Sequence, residues 1–278
     1  MSSLFNYNTL NVNLDASTKG MKVELNRNKD NAINLEMVFE LETLFIWLSH
    51  HLEVQSVYLT GSGNCFSSGL DSKEIKKMSD DKFKKMLKRL QKFSYYLFFV
   101  PQTIIIDFKS KATGVAVEIS AGADLRIARK DVVIKMDYLE RGFVPNCGGI
   151  GLLGEMIPKH YLRRWFMLGS EIDIQELVQS GLVQECYNKR ASLKKYQNLI
   201  FKQASIPRIQ CKRALLENVL PEISRALDYE QQIAFAGMHL GDWREYLNAE
   251  EKGIIPDYAS ARMFSQTIKF NQNDHWEN

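Results

Sequence analysis

The segment Val57–Ile75, VYLTGSGNCFSSGLDSKEI, constrains the fold more than any other stretch of the chain. Val57-Tyr58-Leu59-Thr60 alternates like a half-buried strand. Gly61, Gly63 and Gly69 then space a loop of small polar residues, and Asp71-Ser72-Lys73-Glu74 reads as the start of a helix. A strand that ends in such a loop leaves main-chain N–H groups without ladder partners, facing a cleft. Those donors suit either a phosphate or a carbonyl oxygen that becomes an oxyanion. A Gly-Ser turn after a strand is by itself most often only a turn, so the neighbouring segments decide.

Before this loop, Met21–Asn26 alternates like a strand, Arg27–Asn31 is a polar turn, and Asn34 stands at an N-cap ahead of Met37, Leu41, Leu44, Phe45 and Leu48 at helical spacing. Residues 1–20, rich in Asn, Ser and Thr, read as an N-terminal arm or an edge strand. After the loop, Asp80-Asp81 open a helix whose stripe is Phe83, Leu87, Leu90 and Phe93, and which stops before Pro101. Thr103–Phe108, TIIIDF, is a β-branched run suited to a strand covered on both faces. A polar loop over Lys109–Thr113 leads to Gly114, a short buried helix over Val115–Ala121, and strands at Leu125–Ala128 and Val132–Met136. Such alternation with short connections predicts an α/β fold with ligands beyond the carboxyl ends of the strands. Helical patterns follow at Ile150–Ile157, Lys159–Leu168 and Ile174–Gln179, then a short segment Leu182–Tyr187, then long helical stretches through 190–251. With no Pro- or Gly-rich linker, the reading is one structural unit with a helical C-terminal third.

Composition excludes several classes. A net charge of +3 is too small to argue for a nucleic-acid partner, and 45% apolar with 25% charged residues is ordinary for a soluble domain. Cys65, Cys147, Cys186 and Cys211 show no CxxC spacing and read as reduced thiols of a cytoplasmic protein. The five histidines form no metal motif. No secretory pattern opens the chain, and no apolar run is long enough for a membrane span.

Two loops stand out, each following a buried strand and opening a helix: Phe66-Ser67-Ser68-Gly69-Leu70-Asp71, and Gly114-Val115-Ala116-Val117-Glu118. Val115 and Glu118 are three apart, so an N–H at the helix start and a carboxylate lie about one turn from each other. The N–H could hold a carbonyl oxygen while the carboxylate works on the proton of the neighbouring carbon.

At these residues the chain resembles the crotonase superfamily, the enoyl-CoA hydratase/isomerase family. The matching pieces occur in the family's order: Leu25-Asn26-Arg27 with Asn31-Ala32; LTGSGNCFSSGLD; GVAVEISAGADLRIA; Gly142-Phe143-Val144-Pro145 with Gly148-Gly149; and LGSEIDIQELVQSGLV. The resemblance implies an α/β spiral of ββα-like units over 21–190, behind an arm of residues 1–20. It assigns 191–278 to a helical region for oligomerisation and active-site cover, in a homotrimer or dimer of trimers. It also implies an acyl-CoA or acyl-pantetheine thioester as ligand, with coenzyme A as part of the substrate and no further cofactor. Carried over by position, the Leu70 and Val115 N–H groups are the oxyanion donors, and Glu118 matches the first catalytic glutamate of the hydratases. Ser68, Asp71 and Ser72 lie along the nucleotide and pantetheine path.

The departures point as clearly. The glycine-rich run before the glutamate is reduced to Gly114-Val115-Ala116, which leaves a thioester less room at the backbone. The second glutamate falls on Tyr138, with Asp137 beside it as a substitute acid or a turn cap. Asn146 stands where some relatives carry a catalytic aspartate or tyrosine, and its amide could bind substrate or only lead into a helix. The C-terminal Lys-Arg pair that helps hold CoA phosphates has no counterpart in Ala249–Gly253, whereas Arg27 and Lys29 either reach a phosphate or are turn charges. Hydration needs two groups, one for water and one for the α-carbon proton, and a glutamate with a tyrosine serves that poorly. A double-bond shift needs one base, and decarboxylation needs chiefly the oxyanion donors. The expectation is therefore isomerase- or lyase-type chemistry through a thioester enolate. The alternatives are a non-catalytic binding or assembly protein of the same fold, and a decarboxylase or dehydratase acting on a carrier-protein-bound thioester.

Overall fold

A computed structural model describes residues 5–189, 191–217 and 219–258. Six strands form the main sheet in the order β1 (Leu10–Asp15), β2 (Gly20–Leu25), β3 (Ser56–Gly61), β4 (Thr103–Phe108), β6 (Leu125–Arg129) and β9 (Glu185–Tyr187). All neighbours are parallel except β1, which turns back antiparallel on β2. The N-terminal segment is thus, over Leu10–Asp15, an edge strand. A second sheet joins β5 (Lys111–Thr113), β7 (Val133–Lys135) and β8 (Glu171–Ile172). Sequence reading placed a loop where β5 lies. Three residues carry too little pattern to be seen, and β5 exists through distant partners, β7 22 residues on in register (Lys111 opposite Val133) and the bridge of Ala112 to Ser67.

Helix α1 (Leu35–Ser49) starts where Asn34 accepts the Met37 N–H, and it buries Met37, Leu41, Leu44, Phe45 and Leu48. After the single turn α2 (Ser72–Ile75), α3 (Asp80–Phe99) opens on the acidic pair Asp80-Asp81, is capped by Ser79 and ends ahead of Pro101. Its stripe meets α1, Phe93 standing edge-on to Phe45 at 5.0 Å. The two helices also share a charge: buried Glu42 of α1 is held by Arg89 and Lys92 of α3. Strand β4 is buried along almost its whole length, as a β-branched run between two parallel neighbours requires.

The short buried helix is α4 (Val115–Glu118), continued by one 3₁₀ turn over Ile119–Gly122. The Arg126 guanidinium closes it by donating to the Ser120 and Ala123 carbonyls at 3.0 and 2.8 Å. The remaining helices are α5 (Gly151–Met156), α6 (Lys159–Leu168), α7 (Ile174–Gln179), α8 (Leu193–Phe201), α9 (Ser205–Glu217), α10 (Leu220–Met238) and α11 (Asp242–Lys252). Of these, α10 and α11 lie over the site: Trp243 is fully buried against Phe83 and Phe143, with ring centroids 5.1 and 6.2 Å away. Among the described residues no helix is long and apolar enough to cross a membrane. The expected helical region beyond residue 258 lies outside the described residues.

Candidate active site

Strand β5 is what brings the two loops together. Ser67 bridges Ala112 in parallel, and Val115 follows Ala112 at the same interval at which Leu70 follows Ser67. Gly69 makes the approach possible. Its φ is +81°, and a Cβ there would stand 2.6 Å from the Thr113 carbonyl oxygen, so any other residue would push the loops apart. On its other side Leu70 bridges Ile33, the bonds being Ile33 N–H to Gly69 O and Asp71 N–H to Ile33 O. That pattern uses the groups flanking Leu70 and turns its own N–H away from Ile33. Val115 is the first residue of α4, where an N–H has no helical acceptor. Leu70 and Val115 line one cavity of about 220 Å³, whose wall also contains Glu118, Tyr138, Asn146, Phe143, Met238 and Trp243.

Glu118 is completely buried and held by four donors. The Tyr138 hydroxyl donates to Oε1. The Asn146, Cys147 and Gly149 N–H groups donate to Oε2 at 3.1, 2.7 and 3.0 Å. No arginine takes part in this set. Burial first, and then the charge of Glu230, push the Glu118 carboxyl up to about 7, against the downward pull of Tyr138 and the N–H groups. Tyr138 is held well above the ordinary phenol range by burial and by the Glu118 charge, so it remains a donor. Cys147 is fully buried, and burial together with the two glutamates pushes its thiol up, the opposite of what a nucleophile needs.

Glu230 escaped sequence reading altogether. It lies on α10, 1% exposed, and accepts the Gly148 N–H on Oε2 and the Ile150 and Gly151 N–H groups on Oε1, each at 2.8 Å. Its signal was nonetheless present: Ile223, Leu227, Glu230, Ala234 and Met238 are the buried stripe of α10, and a carboxylate at a core position of an amphipathic helix needs donors.

The other expected site residues divide between the cavity and a groove that meets it at Leu70. The groove, about 850 Å³, is bordered by Ser68, Asp71, Ser72, Asp137 and Arg141, with Lys73, Lys76, Lys77 and Lys111 supplying further cations. Asp137 therefore parts from its neighbour Tyr138: it faces the groove, 3.8 Å from Arg141, and is raised by burial. Arg141 also donates to Ser72 Oγ and the Leu70 carbonyl. Ser68 donates to Asp30 at 2.7 Å. Gly114, at φ +55°, donates to the Lys135 carbonyl and starts the turn into α4. Asn146 is buried in the cavity wall, its Nδ2 donating to the Leu87 carbonyl at 3.1 Å and its Oδ1 unpaired. Arg27 and Lys29 line neither space. Arg27 is fixed by Asp71 at 2.6 Å and by the Ala32 carbonyl at 3.0 Å, and Lys29 is an exposed turn residue. Among the described residues no group of three or more His, Cys, Asp or Glu could hold a metal ion.

The paired sheets, the helical C-terminal part and the two-loop cleft define a protein of the crotonase class. The crystal structure of the enoyl-CoA hydratase/isomerase from Pseudoalteromonas atlantica T6c superposes with a TM-score of 0.80 at 20% identity, covering 90% of this chain and all of that one. The chain belongs to the enoyl-CoA hydratase/isomerase family, whose sequence profile matches residues 17–255. It is 25% identical over 227 residues to the short-chain-enoyl-CoA hydratase of Clostridium acetobutylicum, spanning 80% of this chain and 87% of that one. It is 26% identical over 161 residues to the ethylmalonyl-CoA decarboxylase of Rattus norvegicus, spanning 58% and 54%.

Proposed function

We propose that this chain is an enzyme that forms the enolate of an acyl-CoA or acyl-pantetheine thioester, by isomerase- or lyase-type chemistry. The observation that carries the reading is the meeting of Leu70, Val115, Glu118 and Tyr138 around one mainly apolar cavity. A thioester carbonyl placed between the Leu70 and Val115 N–H groups puts its developing charge on fixed donors in a dry site. One such donor is worth roughly 2.7–4 kcal/mol. The acyl chain occupies the cavity, whose volume equals on the order of seven waters of bulk liquid and therefore admits a short chain. The pantetheine and nucleotide run into the groove, where Lys73, Lys76, Lys77 and Lys111 take the place of the absent C-terminal cations. The acids of that groove, among them Asp30, Glu250 and Glu251, oppose an anionic ligand. Assembly as a trimer belongs to the same proposal and is measured by light scattering.

With a carboxyl near neutrality, Glu118 is suited to take a proton from one carbon and return it to another, which is a double-bond shift. Hydration fits poorly, because Tyr138 is held as a donor where a second carboxylate would be needed. Decarboxylation is supported by the likeness to a decarboxylase and by the burial that keeps the Glu118 carboxyl near neutrality. In that reaction the C–C bond breaks, carbon dioxide leaves, and the electron pair enters the thioester as an enolate. Neutral Glu118 then gives its proton to the α-carbon. The two reactions oppose each other in pH: isomerisation gains rate as Glu118 ionises, and decarboxylation loses it. The four-donor hold on Glu118 equally suits a protein that binds thioesters without turning them over.

The test is calorimetry and turnover across enoyl and alkylmalonyl thioesters of CoA and of pantetheine. Binding of at least one thioester is expected, with turnover abolished and binding kept in Glu118→Gln. No heat and no thermal shift with any of them would sink the proposal. Full activity of Glu118→Gln would remove Glu118 from the mechanism, and binding without turnover would establish the non-catalytic reading.

A further inference from the structure

Six consecutive main-chain N–H groups, from Asn146 to Gly151, all point at carboxylates, and they are divided three and three. Asn146, Cys147 and Gly149 donate to Glu118. Gly148, Ile150 and Gly151 donate to Glu230. The assignment interleaves, so neither carboxylate can shift without moving N–H groups that lie between those serving the other. The glycines make the fan possible. Gly148 has φ +104°, a Cβ on Gly149 would stand 2.9 Å from Glu118 Cγ, and one on Gly151 would stand 2.1 Å from the Ala226 Cβ of α10.

Among the described residues no cation enters this arrangement. The titratable groups facing Glu118 are Glu230, the Tyr138 hydroxyl and the Cys147 thiol. From α3, the ammonium groups of Lys84 and Lys88 lie over the Phe235 ring, more than a turn along α10 from Glu230. From α3 and α11, Asp80 and Arg244 pair with each other. From α5, the Gly151 N–H donates to Glu230. Two like charges on one buried fan oppose each other with nothing between them but the N–H dipoles.

We propose that Glu230 is a positioning residue of the thioester site: through the shared N–H fan and its own charge it fixes where the Glu118 carboxyl sits and how tightly that carboxyl holds a proton. Glu230 touches no substrate. It lies behind Glu118, on the helix whose Ala234, Gly237 and Met238 line the cavity, and so ties the proton affinity of the reacting carboxyl to the docking of α10. Each proton taken by Glu118 from an α-carbon relieves the repulsion on Glu230, and each proton returned restores it. The inference rests on the role proposed for Glu118.

Two measurements on the full-length protein test it. In Glu230→Gln the pH limb that Glu118 sets in kcat/KM is expected to move to lower pH by on the order of one unit, because a like charge has gone. At a fixed pH on that limb this reads as roughly a tenfold change in relative rate. A limb that stays in place while the overall rate falls would reduce Glu230 to a structural role and overturn the proposal. The second measurement needs neither turnover nor a folded Glu230 variant. With ¹³C-labelled glutamate side chains, the wild-type carboxyls of Glu118 and Glu230 are expected to titrate in two mutually dependent steps. Glu118→Gln is expected to lower the Glu230 midpoint, and an unmoved midpoint would overturn the coupling. This arm reads the same whether or not any thioester is a substrate, so failure of the enzymatic reading and failure of this inference are separable.

Discussion

Replacing Tyr138 by Phe removes one oxygen and tests the site at its most specific contact. The ring stays packed beside Phe166, 5.8 Å between centroids, but Glu118 Oε1 loses its donor and the carboxyl is left with three N–H groups. A hydrogen bond to an ionised group is worth about 1.5–3 kcal/mol, against about 1 for a neutral one. The shift follows the difference between the two, about 0.5–2 kcal/mol, so at 1.36 kcal/mol per pKa unit the loss raises the Glu118 carboxyl by roughly half a unit to one and a half units, from about 7 to about 7.5–8.5. The sign for stability follows from the same shift. Glu118 binds its proton more tightly in the folded chain than in the unfolded one, so the stability it contributes is complete below its ordinary value of 4.5 and is lost as pH rises through about 7. In Tyr138→Phe that loss continues to higher pH. Urea unfolding at pH 6 is expected to show a deficit of about 1 kcal/mol, growing by a further ~0.5–2 kcal/mol by pH 9. The Glu118-dependent limb of kcat/KM moves upward over the same interval, whether it rises or falls with pH. A deficit that is constant from pH 6 to 9, with an unmoved limb, would refute the reasoning and leave Tyr138 as a packed aromatic only.

Gly69→Ala places a Cβ 2.6 Å from the Thr113 carbonyl at φ +81° and is expected to cost roughly 2 kcal/mol or more in urea unfolding; wild-type stability would show that the two loops are not held by this approach. Arg27→Met leaves Asp71 without its 2.6 Å partner and is expected to lower stability by about 1–2 kcal/mol at this partly exposed pair without changing KM. A raised KM at unchanged stability would return Arg27 to the ligand. Replacing Lys73, Lys76 and Lys77 together by Gln is expected to raise KM for a CoA thioester on the order of tenfold at low salt and to leave a pantetheine thioester unaffected. Equal effects on both would take the groove away from the nucleotide.

The elements that carry strong local patterns were legible in the sequence. TIIIDF became β4, Asn34 capped α1, and the Phe83–Phe93 stripe became the buried face of α3. What could not be read is held by partners far away in the chain. β5 has three residues, one of them the exposed Lys111, and only the register with Val133–Lys135 and the bridge to Ser67 makes it a strand. That omission mattered for the site, since β5 sets the distance between the loop at Leu70 and the loop at Val115. The pairing of Arg27 was hidden for the converse reason. A cation two residues after a strand looks available to a phosphate, and nothing local reveals that Asp71, 44 residues on, takes it.

The site was half legible for a reason rooted in its chemistry. Side-chain roles leave a residue type behind: the sequence singles out Glu118 by its carboxylate and Tyr138 only as the residue on which the family's second glutamate falls, and the structure brings the two together. Main-chain roles leave almost nothing: the N–H groups of Asn146, Cys147 and Ile150 would be the same on other side chains, and only Gly148, Gly149 and Gly151 hint that the backbone itself is the ligand. The acids they serve come from 28 to 31 residues before and from about 80 residues after. A departure that seemed to weaken the catalytic reading, the tyrosine in place of a second glutamate, takes a different meaning in this setting. The site does contain two carboxylates, but the second sits behind the first instead of across the substrate. A carboxylate across the cavity would activate water; one behind Glu118 changes only how Glu118 holds its proton. On the function proposed above, that placement favours moving a proton on a thioester over adding water to one.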